Sequence, residues 1–93
     1  MRSPGIARRR LLLKGRLQGI GFRWFAREKA VQLALSGWVK NLPDGSVETE
    51  AEGGPENLEA FAAELKKGNG YSSVTGMEQK EIPAKGGEVF EIR

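Results

Sequence analysis

The chain has 93 residues, neither cysteine nor histidine, and 15 Lys and Arg against 12 Asp and Glu, for a formal net charge of +3. That length suits one hydrophobic core and one site; the missing cysteines exclude disulfides, thiolate metal sites and a thiol nucleophile, and the missing histidines exclude the commonest general base and every Ser/His/Asp or Cys/His arrangement. No apolar run approaches the roughly 20 residues that cross a bilayer, and Leu11 to Leu13 is too short for the apolar region of a signal peptide, so a cytoplasmic protein with no membrane association is expected.

Charge is unevenly spread. Residues 1–29 carry nine Lys and Arg against Glu28 alone, whereas residues 30–93 carry six against eleven acids. An anionic partner is therefore expected at the N-terminal third, with a solvated charged face as the plainer alternative.

Residues 1–6 read as a disordered tail and residues 7–93 as a single domain. Ala7 to Lys14 predicts a β-strand, because the run is short and opens into a turn punctuated by Gly15, Gly19 and Gly21. From Phe22 the apolar positions change spacing: Phe22, Phe25, Ala26, Ala30, Leu33 and Ala34 recur at three and four, with Arg27, Glu28 and Gln32 opposite, which predicts an amphipathic helix of about three turns. "SGWVKNL" then predicts a strand, Pro43 to Gly45 a turn, and "SVETEAEG" the returning strand. In that strand Val47, Thr49 and Ala51 share one face and Glu48, Glu50 and Glu52 the other, the alternation of a half-buried strand. A second helix begins at Pro55, with Glu56 and Glu59 at its positive end and Lys66 and Lys67 at its negative end, and stops at Gly68. Leu58, Phe61, Ala62 and Leu65 form its apolar stripe. A strand near Ser73 to Ile82, a turn at Gly86 and Gly87, and a short terminal strand "EVFEIR" complete the chain.

The order is β-α-β-β-α-β with an additional C-terminal strand. Each helix has one apolar stripe, so the expected fold is an α+β, ferredoxin-like sandwich: two helices on one face of a mainly antiparallel sheet, the other face more open. The first and second strands are then parallel, joined by a right-handed crossover, with the third between them. Their C-terminal ends meet at one edge of the sheet.

The loop "GRLQGIGF" leaves the first strand at that edge. Its glycines allow backbone angles that turn successive N–H groups toward one centre, as in an anion-binding nest. The following helix has no Ser, Thr, Asp or Asn cap, so its first N–H groups are left for an oxyanion. Arg23 adds a permanent charge and a planar fork suited to phosphate or carboxylate oxygens. The plainer alternative is a tight strand-to-helix connection capped by glycine, with a solvated arginine. Neither a Walker A loop nor a dinucleotide fingerprint is present, since Gly-Lys-Ser/Thr is missing and Trp24 stands where a third glycine belongs. Asn41 closes the second strand at the same edge; it reads as ordinary turn chemistry before "LPDG", or as an amide that donates to one group, accepts from another and so holds a water. Phe22, Trp24, Phe25 and Trp38 are expected to pack in the core or at its rim. Arg8 to Arg10 read as a solvated strand face, and Lys14, Arg16 and Lys40 as groups that steer an anion.

Taken together, "GRLQGIGFRWF" at Gly15 to Phe25 and "GWVKNLPDGSVE" at Gly37 to Glu48 closely resemble the two signatures of the acylphosphatases, and the similarity runs from Ala7 to Arg93. Leu17 and Ile20 stand where valine is commoner in the family. The segment "GNGYSSVTG", Gly68 to Gly76, departs further from the family pattern, outside both signatures, and bears on substrate access or stability. The resemblance implies the α/β sandwich and a hydrolase that turns an acyl phosphate into a carboxylate and inorganic phosphate, with no metal and no cofactor. It implies that Gly15, Arg16, Leu17, Gln18, Gly19, Ile20, Gly21, Phe22 and Arg23 bind the phosphate group, through loop amides and the Arg23 guanidinium, and that Asn41 orients the attacking water. The expected partners are a small-molecule acyl phosphate and inorganic phosphate as product and competitive inhibitor; a monomer is expected.

Two other readings compete. RNA-binding domains share this sheet-and-two-helix layout, but they stack bases on central strands, where Glu48, Glu50 and Glu52 would repel phosphate, so no nucleic-acid partner is expected. Acylphosphatase-like domains also occur inside larger carbamoyl-transfer maturation proteins, where such a module need not hydrolyse anything by itself; a chain of 93 residues without a zinc motif speaks against that.

Overall fold

The computed structural model describes residues 5–93, so most of the expected tail lies outside the described residues, and Gly5 and Ile6 are exposed. Five strands form one sheet in the order β4-β1-β3-β2-β5: β1 (Ala7–Arg16), β2 (Ser36–Asn41), β3 (Val47–Gly53), β4 (Ser73–Ile82) and β5 (Phe90–Ile92). β3 runs antiparallel between β1 and β2, with Thr49 opposite both Leu11 and Val39. β4 is antiparallel to β1, and β5 is parallel to β2. This is the ferredoxin-like arrangement with one added edge strand.

Strand alternation puts Leu11, Leu13, Val39, Val47, Thr49 and Ala51 on one face, all buried. Against them pack Phe22, Ala26 and Ala30 of α1 (Phe22–Gln32) and Leu58, Phe61, Ala62 and Leu65 of α2 (Pro55–Lys67). Each buried Leu or Phe side chain contributes on the order of 1.5–3 kcal/mol relative to exposure, so this layer carries the fold. The Thr49 hydroxyl, fully buried, donates to the Trp38 carbonyl at 2.7 Å and so is satisfied.

α1 has the three turns expected but ends at Gln32, two residues before the last position of the predicted apolar stripe. Leu33 caps it, the Ala34 N–H donates to the Val31 carbonyl at 3.1 Å, and the Leu35 N–H reaches back to the Ala30 carbonyl at 2.8 Å. That is a Schellman closure, with Ala34 at the left-handed position, φ 57°, where glycine is usual. Ala34 is consequently exposed rather than part of the stripe, while Leu35 is buried.

β1 is two residues longer than predicted. A bulge between Lys14 and Gly15 lets pairing with β4 resume, Gly15 opposite Val74 and Arg16 opposite Ser73. At Gly15 the β4 backbone comes so close that a Cβ would lie 1.9 Å from the Ser73 carbonyl oxygen. Only glycine fits there.

The outer, helix-free face of the sheet departs most from expectation. Arg8 is only 4% exposed rather than solvated; its Nε donates to Glu50 at 2.8 Å and its Nη1 to Glu52 at 3.1 Å. Arg10 pairs with Glu48, and Arg9, on the helix side, pairs with Glu59 of α2 at 3.0 Å. The glutamates of β3 are thus neither a half-exposed row nor a bare negative stripe, because the basic run of β1 lies one strand away and neutralises them. The segment 83–89, which joins β4 to β5, crosses this face and donates the Lys85 and Gly86 N–H groups to Glu52.

These contacts set how stability responds to acid. The main-chain N–H of Lys85 is the largest influence holding the Glu52 carboxyl below its ordinary value of 4.5, with Arg8 and the Gly86 N–H adding to it against the opposing effect of burial. Burial is the largest single influence on Glu50 and would raise it, but the hydrogen bonds and charges of Arg8 and Lys85 together bring it below 4.5. Lowered carboxyls stabilise the fold above the unfolded-state value and lose that contribution as pH falls through the folded one. Thermal unfolding followed by circular dichroism is therefore expected to show a level Tm above about pH 5 and a decline below it, reduced in Glu50→Gln. A Tm that stays level to pH 3 contradicts this account.

Candidate active site

The loop between β1 and α1 is anchored at one end by Leu17, which is buried in the core. Gly19 and Gly21 both adopt left-handed backbone angles, φ 79° and 78°, and a Cβ at either would meet nothing within 4 Å. Conformation, not space, is what requires glycine there. Gly21 is the N-cap of α1 and offers no side chain; the first helical N–H to find an acceptor is that of Phe25, on the Gly21 carbonyl at 3.0 Å. The N–H groups of Phe22, Arg23 and Trp24 have no acceptor among the described residues. They point out of the positive end of the helix, where an anion is favoured.

Arg23 lies in that first turn, half-buried, and its Nη1 donates to the main-chain oxygen of Arg93 at 2.7 Å. Arg93 in turn donates its N–H to the Val39 carbonyl at 2.8 Å, two residues before Asn41. The guanidinium is therefore fastened beside the end of β2. Asn41 is the last residue of β2, opposite Val47, and so belongs to the helix side of the sheet. Its side-chain amide has no hydrogen-bond partner among the described residues, leaving donor and acceptor both available. Lys40, one residue earlier, falls on the outer face instead, 3.8 Å from Glu48 and 5.3 Å from the Trp38 ring centroid.

Two side chains brace the loop in ways that composition did not reveal. Gln18 Nε2 donates to the carbonyls of Leu42 and Ser46, at 2.8 and 3.0 Å, tying the loop to the turn that follows Asn41. That turn is itself closed by Leu42 N–H to Ser46 O at 2.8 Å and by Asp44, whose carboxylate accepts from the Ser46 N–H at 2.9 Å. Asn69 Nδ2 donates to the Ile20 carbonyl at 3.1 Å, while its Oδ1 accepts from the N–H groups of Tyr71 and Ser72, both at 3.0 Å. "GNG" signals such an asparagine turn, but nothing in the sequence shows that the turn lies against Ile20.

Trp24 does not pack in the core or rim: it is 68% exposed. It lies with Ile20, Gly21, Phe25, Asn69 and Tyr71 along a groove on the outward flank of α1, which begins at the loop but includes neither Arg23 nor Asn41. Phe22 is buried and Phe25 half-buried, their ring centroids 5.7 Å apart. Lys14 and Arg16 remain exposed near the loop, whereas three of the bases counted toward the N-terminal excess, Arg8 to Arg10, are ion-paired. Among the described residues no group of three or more His, Cys, Asp or Glu could hold a metal ion, and no helix is long and apolar enough to cross a membrane.

Comparison with known proteins decides the family. Residues 9–92 match the family model described as Acylphosphatase. The chain belongs to the acylphosphatase family. It is 44% identical over 91 residues to the acylphosphatase of Solibacter usitatus, covering 98% of this chain and 94% of that one. Among solved structures it is similar to the acylphosphatase of Bacillus subtilis, with a TM-score of 0.89, 39% identity and coverage of 94% and 98% of the two chains. It also resembles a segment of full-length HypF in its phosphate- and nucleotide-bound form, TM-score 0.86 at 30% identity, spanning 99% of this chain but 12% of that one. In this acylphosphatase both signature stretches lie at one edge of the sheet, joined by Gln18. The stretch 68–76, expected to depart from the family pattern, braces Ile20 through Asn69.

Proposed function

We propose that this enzyme hydrolyses acyl phosphates by direct in-line attack of water on phosphorus. The observation that carries the reading is the set of unpartnered N–H groups at the start of α1 together with a guanidinium held in the same turn. The amides of the loop from Gly15 to Phe22 and the Arg23 fork receive the phosphoryl oxygens, whose charge they stabilise in the transition state. Asn41, with its amide free, orients the water opposite the leaving group.

The chemistry needs no histidine or cysteine. The P–O bond to the acyl group breaks, a carboxylate departs as a weak base without a proton from the enzyme, and water oxygen bonds to phosphorus. Asn41 cannot take the water proton at neutral pH, so a phosphate oxygen of the substrate accepts it and the product is inorganic phosphate. The same cradle accepts that product, which makes inorganic phosphate a competitive inhibitor. A monomer acting in the cytoplasm completes the proposal.

The test is incubation with acetyl phosphate or benzoyl phosphate in the presence of a chelator, with phosphate release measured. Turnover that survives the chelator is expected. The second reading, a carbamoyl-transfer accessory module without hydrolase activity of its own, draws on the likeness to HypF. Absence of phosphate release from both substrates would favour it.

A further inference from the structure

β4 and β5 lie at opposite edges of the sheet, so the seven-residue strap between them, residues 83–89, has to pass over β1, β3 and β2. It passes over the outer face and is fastened there to Glu52. The Lys85 N–H donates to Oε1 at 2.7 Å and the Gly86 N–H to Oε2 at 2.9 Å. Arg8 Nη1 donates to Oε1 from below at 3.1 Å, and Glu52 is only 7% exposed. Main-chain donors cannot swing away as a lysine ammonium can, so a carboxylate bonded through both oxygens to successive N–H groups is a geometric clamp. Glu50 differs: the strap reaches it only through the flexible Lys85 side chain, at 3.3 Å.

What the strap leads into is a strand of three residues, Phe90–Ile92, at the edge of the sheet. So short a strand has little pairing energy of its own. Two hydrogen bonds bracket it, Gly37 N–H to Val89 O at 2.9 Å and Arg93 N–H to Val39 O at 2.8 Å, and Phe90 packs edge-on to Phe61. Both arginines of the near side of α1 rest on it: Arg27 Nε donates to Phe90 O at 3.2 Å, and Arg23 Nη1 to Arg93 O at 2.7 Å. The clamp holds Lys85 and Gly86 and the phosphate-loop arginine rests on Arg93, so the link between them is the seven-residue step from Gly86 to Arg93, at most about 23 Å of chain if fully extended.

We propose that Glu52 is a positioning residue for Arg23: by clamping the strap it sets where β5 lies, and with it the Arg93 oxygen against which the guanidinium is held. The role rests on the phosphate-binding reading of Arg23 given above. Glu52 touches no reacting atom.

The test compares Glu52→Ala with Glu50→Gln, which loosens the same ion network but leaves both strap N–H groups held. In Glu52→Ala the Kd for inorganic phosphate is expected to rise about fivefold, the KM for acetyl phosphate to rise in step, and kcat to change less. Without any ligand, amide hydrogen exchange at Gly37 and Arg93 is expected to quicken. Glu50→Gln is expected to weaken phosphate binding by less than about twofold. If Glu52→Ala lowers Tm but leaves both phosphate affinity and these exchange rates unchanged, the proposal is overturned; equal effects of the two variants overturn it as well. A wild-type protein that does not bind phosphate refutes the site reading, and the role proposed for Glu52 falls with it; the exchange rates then report only whether Glu52 sets β5. Should Glu52→Ala not fold, Glu52→Gln, which keeps one acceptor oxygen, is read in its place; two unfolded variants make Glu52 a folding residue and remove the positioning role.

Discussion

Arg23→Ala is expected to lower kcat/KM for acetyl phosphate by about 10³-fold or more while the protein stays folded. The size follows from the role proposed for it: a charge-bearing fork for oxygens that gain charge in the transition state, in a reaction with little else for the protein to do. The fold should survive because the guanidinium makes one hydrogen bond within the protein, to the Arg93 oxygen, and lies at the periphery of the core. A single such bond contributes about 1–3 kcal/mol. Arg23→Lys is expected to recover little, since a point charge on a flexible stem does not reproduce two parallel N–H donors. The measurements are phosphate release, phosphate affinity and the circular dichroism melt. Near-normal turnover in a folded Arg23→Ala protein would remove the arginine from the mechanism.

Asn41→Ala is the second, and it separates two readings that the sequence leaves open. If Asn41 orients water, kcat falls by about 10²-fold while the Kd for inorganic phosphate stays within about threefold, because bound phosphate already occupies the cradle without needing that water. If Asn41 serves the turn before Pro43, the substitution instead lowers Tm and weakens both parameters together. The structure favours a small stability effect. The turn is closed by Leu42, Ser46, Asp44 and the Gln18 side chain, and the Asn41 amide takes no part. A kcat unchanged within error in Asn41→Ala would show that water is placed by something else.

Sequence is most informative where the determinant is local. Gly19 and Gly21 were expected to take angles that other residues resist, and both are left-handed. Pro55 and Gly68 bracket α2 as a proline at the first position and a glycine at the stop should. Where the determinant is non-local, the sequence pattern does not show it. Alternation assigns Glu48, Glu50 and Glu52 to one face, but only the strand order shows that Arg8 and Arg10 lie beside them, at sequence separations of 38 to 44 residues. Trp24 has the spacing of a packing residue; it is exposed because no element covers the outward flank of α1.

The sequence by itself determined the order of elements, the apolar face each turns to the helix–sheet core and the two stretches that resemble the acylphosphatase signatures. It did so because hydrophobic period, glycine conformation and helix ends are properties of a few neighbouring residues. Tertiary structure alone decided that Gln18 ties one signature to the other, that Asn69 braces Ile20, that Glu52 clamps the strap and that Arg23 rests on Arg93. Each of those bonds joins residues at least 24 positions apart. Partners of that kind are chosen by how strands pair and what crosses the sheet, which no local pattern encodes.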